Sequence, residues 1–190
     1  MTDINDQPLL TLRARRADDG ETADGKSGEA GALATAESGL VGVAEWLFFA
    51  YRDFISNPDA ALHELGFGRA HHRVLHFVSR YPGLRVADLL DILKITKQSL
   101  GRVLKQLIDK GYIVQKAGRS DRRERLLYPT ERGRALAKRL MTPQLERIAA
   151  ALRASGADGG EAAQEFLRHM VGEAERDKVD ALIGRAQGRG

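Results

Sequence analysis

The chain has 190 residues, of which 43% are hydrophobic and 29% are charged, and its formal net charge is +4 at pH 7. A chain of this length forms one domain with room for an extension, and the absence of cysteine excludes thiolate catalysis, cysteine-ligated zinc and disulfide sensing. Because no apolar run approaches about 18 residues and no leader peptide is recognisable, we expect a cytoplasmic protein without membrane contact.

Residues 1–37 predict a mobile, disordered arm. The segment is rich in Gly, Ala and acidic residues and shows no sustained apolar period. From Leu40 to Ile55 the sequence is instead apolar on nearly all sides of a helical wheel, which is typical of a helix buried on more than one side. The Ser-Asn-Pro sequence at residues 56–58 ends this helix.

Three further helices are predicted between residues 66 and 110. The first ends near Tyr81, before a Pro-Gly pair, and the second is the short segment at residues 85–95. The third begins after Thr96, whose hydroxyl suits an N-cap, and it stops before Gly111.

The third helix presents two different faces. An apolar stripe at helical spacing lies on one side, and the opposite side carries mostly basic and amide side chains. Gln and Arg can hydrogen-bond adenine and guanine edges, while Lys and Ser suit phosphate contacts. Such a face predicts a recognition helix for a DNA major groove, and a solvated charged surface is the alternative. The stripe comprises Leu100, Val103, Leu104, Leu107 and Ile108, and the polar face comprises Lys97, Gln98, Gly101, Arg102 and Lys105.

Gly101 stands in the middle of the polar face. A glycine in a helix interior costs about 1 kcal/mol relative to alanine. Two interpretations stay open: close approach of the helix to a sugar or phosphate, or a glycine tolerated because tertiary contacts hold the helix.

Two strand-like runs follow, "YIVQKA" at residues 112–117 and "RLLYP" at residues 125–129, around a charged tip. Residues 96–125 hold nine Lys and Arg against three acidic residues, a concentration typical of proteins with a polyanion partner. Two short helices followed by a basic hairpin predict a winged helix-turn-helix. Arginines at a hairpin tip also protect sheet edges, which is the alternative here.

The last elements are a long helix that starts at Thr130 and a final helix at about residues 158–186. The apolar surface of the first and final helices exceeds what a small winged helix needs, which favours an intertwined homodimer on a palindromic site; a compact monomer is the alternative. The predicted fold is therefore mainly α with a small β wing. Its single domain spans residues 38–190, in which a winged-helix lobe at residues 63–142 is flanked by dimerisation helices at residues 38–62 and 143–186.

The segment "RSDRRERLLYPTERG" at residues 119–133 resembles the wing of the MarR family of transcription regulators. Asp121 and Arg123 match the family's Asp-x-Arg pattern, and Thr130 follows nine residues after the aspartate. Pro129 stands where the family usually has Leu. The resemblance covers about residues 40–186, and the run "HHRVLHF…TKQSLGRVLKQL" is further similar to the PetP-like branch of the family.

This resemblance implies a repressor of transcription that binds double-stranded DNA as a homodimer and is released by a small effector. It implies that Arg123 enters the minor groove and that Asp121 holds the wing tip through neighbouring arginines. Arg125 then contributes to phosphate contact or positioning. The predicted DNA-binding residues are Thr96, Lys97, Gln98, Ser99, Arg102, Lys105, Arg119, Asp121, Arg122 and Arg123.

The resemblance also implies an effector site between the dimerisation helices and the DNA-binding lobe. His72 and His76 are four residues apart on one helix face, a spacing that can grip a metal ion or haem, but the nearby Arg69 and Arg80 oppose a cation. An anionic effector, a dimer hydrogen bond and ordinary partly exposed histidines are the alternatives, and no cofactor is predicted. The candidate effector residues are Trp46, His71, His72, Arg73 and His76.

Enzymatic chemistry has no candidate motif in this sequence. It contains no Gly-rich phosphate loop, no His-Glu-x-x-His and no Gly-x-Ser-x-Gly, so we do not expect an enzyme. The alternative class is a winged helix that contacts protein or RNA. Strong salt dependence together with a preference for one duplex sequence would distinguish DNA regulation from that class.

Overall fold

The computed structural model describes residues 24–56, 58–118, 121–156 and 159–187. The chain divides into two compact units, residues 1–47 and 48–190. The predicted fold class, mainly helical with a small β wing, is confirmed. In chain order the elements are α1 Asp24–Ser56, α2 Asp59–Glu64, α3 Arg69–Arg80, β1 Leu84–Arg85, α4 Val86–Leu93, α5 Lys97–Asp109, β2 Ile113–Ala117, β3 Arg125–Pro129, α6 Glu131–Ser155, α7 Gly159–Met170 and α8 Glu173–Gln187.

Helix α1 starts earlier than the sequence predicts. It begins at Asp24, so residues 24–37, which were predicted to be a disordered arm, are helical. Ala and Glu in this stretch have high helix propensity, which the interpretation from composition undervalued. The rest of the predicted arm, residues 1–23, lies outside the described residues.

The predicted burial of α1 is wrong for the single chain. Trp46, Phe48, Phe49 and Tyr51 expose 76%, 73%, 52% and 60% of their surface. Monomeric proteins rarely expose contiguous apolar patches of large aromatic side chains.

The core of the second unit is built by α3, α4, α5 and the sheet. Leu75 of α3, Leu89 of α4 and Leu127 of β3 are almost fully buried in one apolar cluster. The apolar stripe predicted for α5 joins this cluster, since Leu100 and Leu107 expose 1% and 0% of their surface. Burial of this stripe turns the polar side chains of α5 toward solvent.

The wing belongs to a three-stranded antiparallel sheet with the strand order β1-β3-β2. The sequence did not predict the two-residue strand β1, which pairs Leu84 with Leu127 of β3. Pro129, the residue that departs from the family pattern, is the last residue of β3 and still pairs with Ile113. Proline has no amide hydrogen to donate to the sheet, but at the end of a strand this loss is tolerated. The amide of the next residue, Thr130, donates to the carbonyl of Tyr112 at 3.0 Å.

Helix α6 starts at the predicted position, where Thr130 forms a side-chain cap. The hydroxyl oxygen of Thr130 accepts a hydrogen bond from the Gly133 amide at 3.0 Å and donates to the carbonyl of Gly111 at 2.7 Å. Gly133 packs directly on the backbone of Tyr112, the residue before β2, because an added Cβ would lie 2.0 Å from the Tyr112 carbonyl oxygen. A larger residue there would push α6 away from the wing.

Two helical predictions need correction. The final helix predicted at residues 158–186 is divided into α7 and α8 at Val171 and Gly172, because the Gly172 carbonyl begins a new helix by accepting from the Glu175 and Arg176 amides. The short helix α2 was not predicted and buries Leu62 in the core. Among the described ranges, no helix combines the length and apolar character needed to cross a membrane.

Candidate nucleic-acid interface

Helix α5 is started by Thr96. The Thr96 hydroxyl oxygen accepts from the Ser99 amide at 3.2 Å and donates to the Ser99 hydroxyl at 2.9 Å. The single hydrogen of the Thr96 hydroxyl is therefore used inside the protein, whereas the Ser99 hydroxyl hydrogen remains available to an acceptor. Thr96 and Ser99 were both predicted to contact DNA. Thr96 instead caps the helix, whereas Ser99 keeps a hydroxyl hydrogen that it can donate.

The turn before α5 is sharp. Lys94 ends α4 in the left-handed conformation, with φ of 50° and ψ of 44°. Its ammonium group bonds Asp91 at 2.7 Å and reaches Glu175 of α8 at 3.0 Å, and the Asp91 hydrogen bond is the main cause of its raised pKa. A non-glycine residue in this conformation stores strain, which the surrounding contacts must offset.

The outward face of α5 carries side chains ready to meet a ligand. Lys97, Gln98 and Arg102 are all exposed. Within the described residues none of these three side chains forms a hydrogen bond or an ion pair. Their donors and acceptors are consequently free to contact base edges and phosphates.

Lys105 differs from the other basic residues of this face. Its ammonium group pairs with Asp109 at 2.6 Å, one helical turn further along α5. Asp109 therefore places one carboxylate beside the C-terminal end of this otherwise basic and amide-bearing face. Because both side chains are largely exposed, the pair is weak and Lys105 can leave it for a phosphate.

Gly101 lies exposed on the same face. A Cβ added there would meet no atom of the described protein within 4 Å. Packing inside the chain therefore does not require glycine at this position.

The tip of the wing is closed by backbone hydrogen bonds. The Gly118 amide donates to the Glu124 carbonyl at 3.0 Å, and the Glu124 amide donates to the Asp121 carbonyl at 3.1 Å. An added Cβ at Gly118 would lie 2.5 Å from the Asp121 carbonyl oxygen, so the tip folds tightly only with glycine there.

Asp121 contacts the backbone of a neighbouring arginine at the tip. Its carboxylate accepts a hydrogen bond from the Arg123 backbone amide at 2.8 Å. A carboxylate two residues before an amide forms this local turn readily. Arg122 and Arg123 are exposed and their guanidinium groups have no partner among the described residues. Arg119 lies outside the described residues.

A residue that the sequence did not single out connects the wing to α4. The Arg85 guanidinium contacts the Asp88 carboxylate at 2.6 and 2.8 Å and Glu124 at 3.3 Å. The Arg85 hydrogen bond lowers the pKa of Asp88 against the opposing effect of partial burial. The spacing of Arg85 and Asp88 is visible in the sequence, but Glu124 is 39 positions away and joins them only in the fold.

His71 has a structural role. Its Nδ1 accepts from the Gly68 amide at 3.1 Å at the start of α3, so Nε2 carries the proton and donates to the Gln106 side chain of α5. The ring also stacks on Phe67 with ring centroids 4.7 Å apart. His71 thereby fixes α5 against α3.

Two of the other candidate effector residues, Arg73 and Trp46, belong to different compact units of the chain. Arg73 donates to the Leu93 carbonyl at 3.1 Å and so closes the end of α4. Trp46 lies exposed on α1, within the first of the two compact units.

His72 and His76 are half-buried on α3. Burial lowers the pKa of both imidazoles. The negative charge of Asp59 opposes this decrease for His72. The positive charges of His72 and Arg80 lower the pKa of His76 further. The Nε2 atom of His72 is buried without a hydrogen-bond partner among the described residues. In the described part of the chain, no group of three or more His, Asp or Glu side chains could hold a metal ion.

His76 lines a groove of about 440 Å³ between α3, α4 and α8. The groove has aromatic walls at Phe77 and Tyr81 and charged groups at its rim. Lys94 and Lys178 supply its cations, and both are paired with acidic residues. The groove therefore combines apolar surface with two lysines that are balanced by Asp91 and Glu175, next to the turn that precedes α5.

Comparison with known proteins agrees with this geometry. A family model described as MarR family matches residues 65–124. The chain is 44% identical over 138 residues to the HTH-type transcriptional regulator PetP of Rhodobacter capsulatus, covering 73% of this chain and 83% of that protein. It is 39% identical over 80 residues to the HTH-type transcriptional repressor Rv2887 of Mycobacterium tuberculosis, covering 42% of this chain and 58% of that protein.

A solved structure supports the fold. It is that of a MarR family transcriptional regulator from Listeria monocytogenes complexed with a 26mer DNA, and the match has a TM-score of 0.57 and 22% identity. The match covers 71% of this chain and 89% of that one.

Proposed function

The chain belongs to the MarR family of transcription regulators, and we propose that it represses transcription by binding a palindromic double-stranded DNA site as a homodimer. The observation that carries this proposal is the outward face of α5, where Lys97, Gln98 and Arg102 are exposed and unpaired among the described residues. Members of the family are transcription regulators and not enzymes.

The docking that we propose places α5 in the major groove and the wing over the adjacent minor groove. Gln98 suits adenine, Arg102 suits guanine, and Lys97 and Ser99 suit phosphates. Arg123 reaches into the minor groove, whose negative potential attracts a guanidinium. Further phosphate contacts come from Arg119, Arg122 and Lys105, while Thr96 and Asp121 hold the two elements in shape.

The homodimer is supported by exposed apolar surface on both the N-terminal and C-terminal helices. Exposed apolar patches of this kind mark association surfaces. A two-fold dimer would set its two recognition helices about 34 Å apart, one turn of DNA, which accounts for a palindromic site. The exposed residues are Trp46, Phe48, Phe49 and Tyr51 on α1, Leu145 and Ile148 on α6, Phe166, Leu167 and Met170 on α7, and Ile183 on α8.

We further propose that a small anionic effector releases the DNA by entering the groove at His76. An anion there would compete with Asp91 and Glu175 for Lys94. Because Lys94 forms the turn into α5, a change in its contacts reaches the recognition helix directly.

Selection of bound duplexes from a random DNA pool by the purified protein tests the function. We expect an enriched palindrome with half-sites about one helical turn apart, and we expect Arg102→Ala to lose the preference at one position of each half-site. Arg69→Ala is the control, since it removes an arginine paired with Asp59 outside α5 and the wing. Salt-sensitive binding without enrichment of any sequence would instead favour the winged helix as a protein- or RNA-contacting module.

A further inference from the structure

We propose that Arg85 is a positioning residue for DNA binding, which holds the wing in its binding geometry through Glu124. The inference rests on the proposed function, because it assumes that the wing contacts DNA. It assigns a role to two residues that lie on neither the recognition helix nor the Asp-x-Arg pattern of the wing tip.

Arg85 is placed between the two parts of the domain that meet DNA. It is the last residue of β1 and directly precedes α4, the first helix of the helix-turn-helix. One side of its guanidinium forms a two-point contact with Asp88 of α4, and the other side reaches the Glu124 carboxylate at 3.3 Å. The planar guanidinium suits this arrangement, since it can satisfy two carboxylates with fixed geometry.

Glu124 is the residue through which the wing tip can be held. Its amide and carbonyl form the two backbone hydrogen bonds that close the tip, to Asp121 and Gly118. Its side chain extends away from the tip and accepts a hydrogen bond from Arg85. A constraint on Glu124 is therefore transmitted to Arg122 and Arg123 through the backbone of a closed turn.

The charge of Glu124 makes the inference testable. An acidic side chain beside a basic wing repels the phosphate backbone, so simple electrostatics predicts tighter DNA binding when Glu124 is neutralised. Positioning predicts the opposite, because the freed wing must be ordered again at each binding event. The two explanations therefore differ in sign.

A loss of folding stability is not expected to account for a change in DNA affinity. The Arg85 and Glu124 side chains expose 52% and 35% of their surface, and exposed pairs contribute little to the free energy of unfolding. Asp88 keeps Arg85 as its partner when Glu124 is neutralised. Glu124→Gln should consequently fold and melt like the parent chain.

The experiment measures the affinity of the full chain for a fluorescent duplex recovered by the selection, at one salt concentration. We expect Glu124→Gln and Arg85→Ala each to weaken binding roughly threefold to tenfold, the cost of immobilising one long side chain. In an Arg123→Ala background Glu124→Gln should have little further effect, since the wing then has less to position. Arg69→Ala is the matched control, because it breaks an equally exposed arginine–aspartate pair far along the chain from the wing.

Unchanged or tighter binding by Glu124→Gln would overturn the inference. Weaker binding by Arg85→Ala alone, with a lower dependence of affinity on salt, would overturn it as well and assign Arg85 a direct phosphate contact. If Arg123→Ala leaves affinity unchanged, the proposed wing contact itself is wrong, and the inference is lost with it. Weakening by Arg123→Ala but not by Glu124→Gln removes only the inference.

Discussion

Gly101→Ala should change stability and DNA affinity in opposite directions. The residue lies within α5, exposed, and an added Cβ meets no described atom within 4 Å. Alanine is better than glycine in a helix interior by about 1 kcal/mol, because glycine loses more backbone freedom on folding. We therefore expect the free energy of unfolding to rise by about 1 kcal/mol and the melting temperature to rise by about 2–4 °C in a chain of this size.

The same methyl group should weaken DNA binding. Gly101 lies among Lys97, Gln98 and Arg102, so a side chain there stands between α5 and the sugar-phosphate backbone in the proposed docking. We expect about a tenfold loss of affinity, which corresponds to about 1.4 kcal/mol. Circular dichroism during heating measures the stability, and fluorescence anisotropy with the selected duplex measures the affinity.

Gly184→Ala supplies the matched control. Gly184 lies in α8, is exposed, and likewise has no atom within 4 Å of an added Cβ. It should gain similar stability without a loss of affinity. Because its neighbour Ile183 lies on the proposed dimer surface, gel filtration must show the same oligomeric state as the parent. If Gly101→Ala became more stable and bound DNA as before, close approach would be refuted and the glycine would be one that the helix simply tolerates.

Three further outcomes follow from the structure. Arg123→Ala should weaken DNA binding roughly tenfold, as expected for the loss of one good DNA contact. Its melting temperature should stay close to the parent's, because the Arg123 side chain has no described partner. Equal losses of binding and stability would contradict the assigned role of Arg123. Asp109→Asn should tighten binding in an anisotropy titration, because it frees Lys105 for a phosphate; unchanged affinity would mean that Lys105 does not reach DNA. Burial lowers the pKa of His72 and His76 in the folded chain, so the unfolded chain takes up more protons and stability should fall as the pH drops through about 6.5. Calorimetry at pH 8 and pH 5 measures that fall, which should be smaller in a His76→Gln variant.

Periodicity was sufficient to predict helix α5 and its buried face. The stripe at Leu100, Leu104 and Leu107 is buried, and the cap at Thr96 forms as its position before the stripe predicts. The hairpin and the cap at Thr130 also follow from local signals. Each of these features depends on residues within one or two turns of one another, where side-chain chemistry limits the backbone choices.

Features that depend on distant residues could not be predicted in the same way. The contact of Arg85 with Glu124 joins positions 39 residues apart, and His71 meets Gln106 across 35 residues. The histidines looked like a ligand set because three lie within one helix, yet His71 is oriented by the Gly68 amide and by α5. A local pattern shows which chemistry is present, but packing decides which partner each side chain takes.

The two parts of this domain that we propose to contact DNA are held in different ways. The inner face of α5 is fixed by buried leucines, whereas the turn before it and the wing beside it are held by exposed ion pairs of Lys94 and Arg85. Exposed pairs are weak and weaken further in salt, so both attachments can be changed at small cost to the fold. A regulator that must release DNA needs such attachments, because a rearrangement that required breaking the core would cost more free energy than an effector's differential binding supplies. The pair between Lys94 and Glu175 is therefore the point at which a change in α8 is best placed to reach the recognition helix.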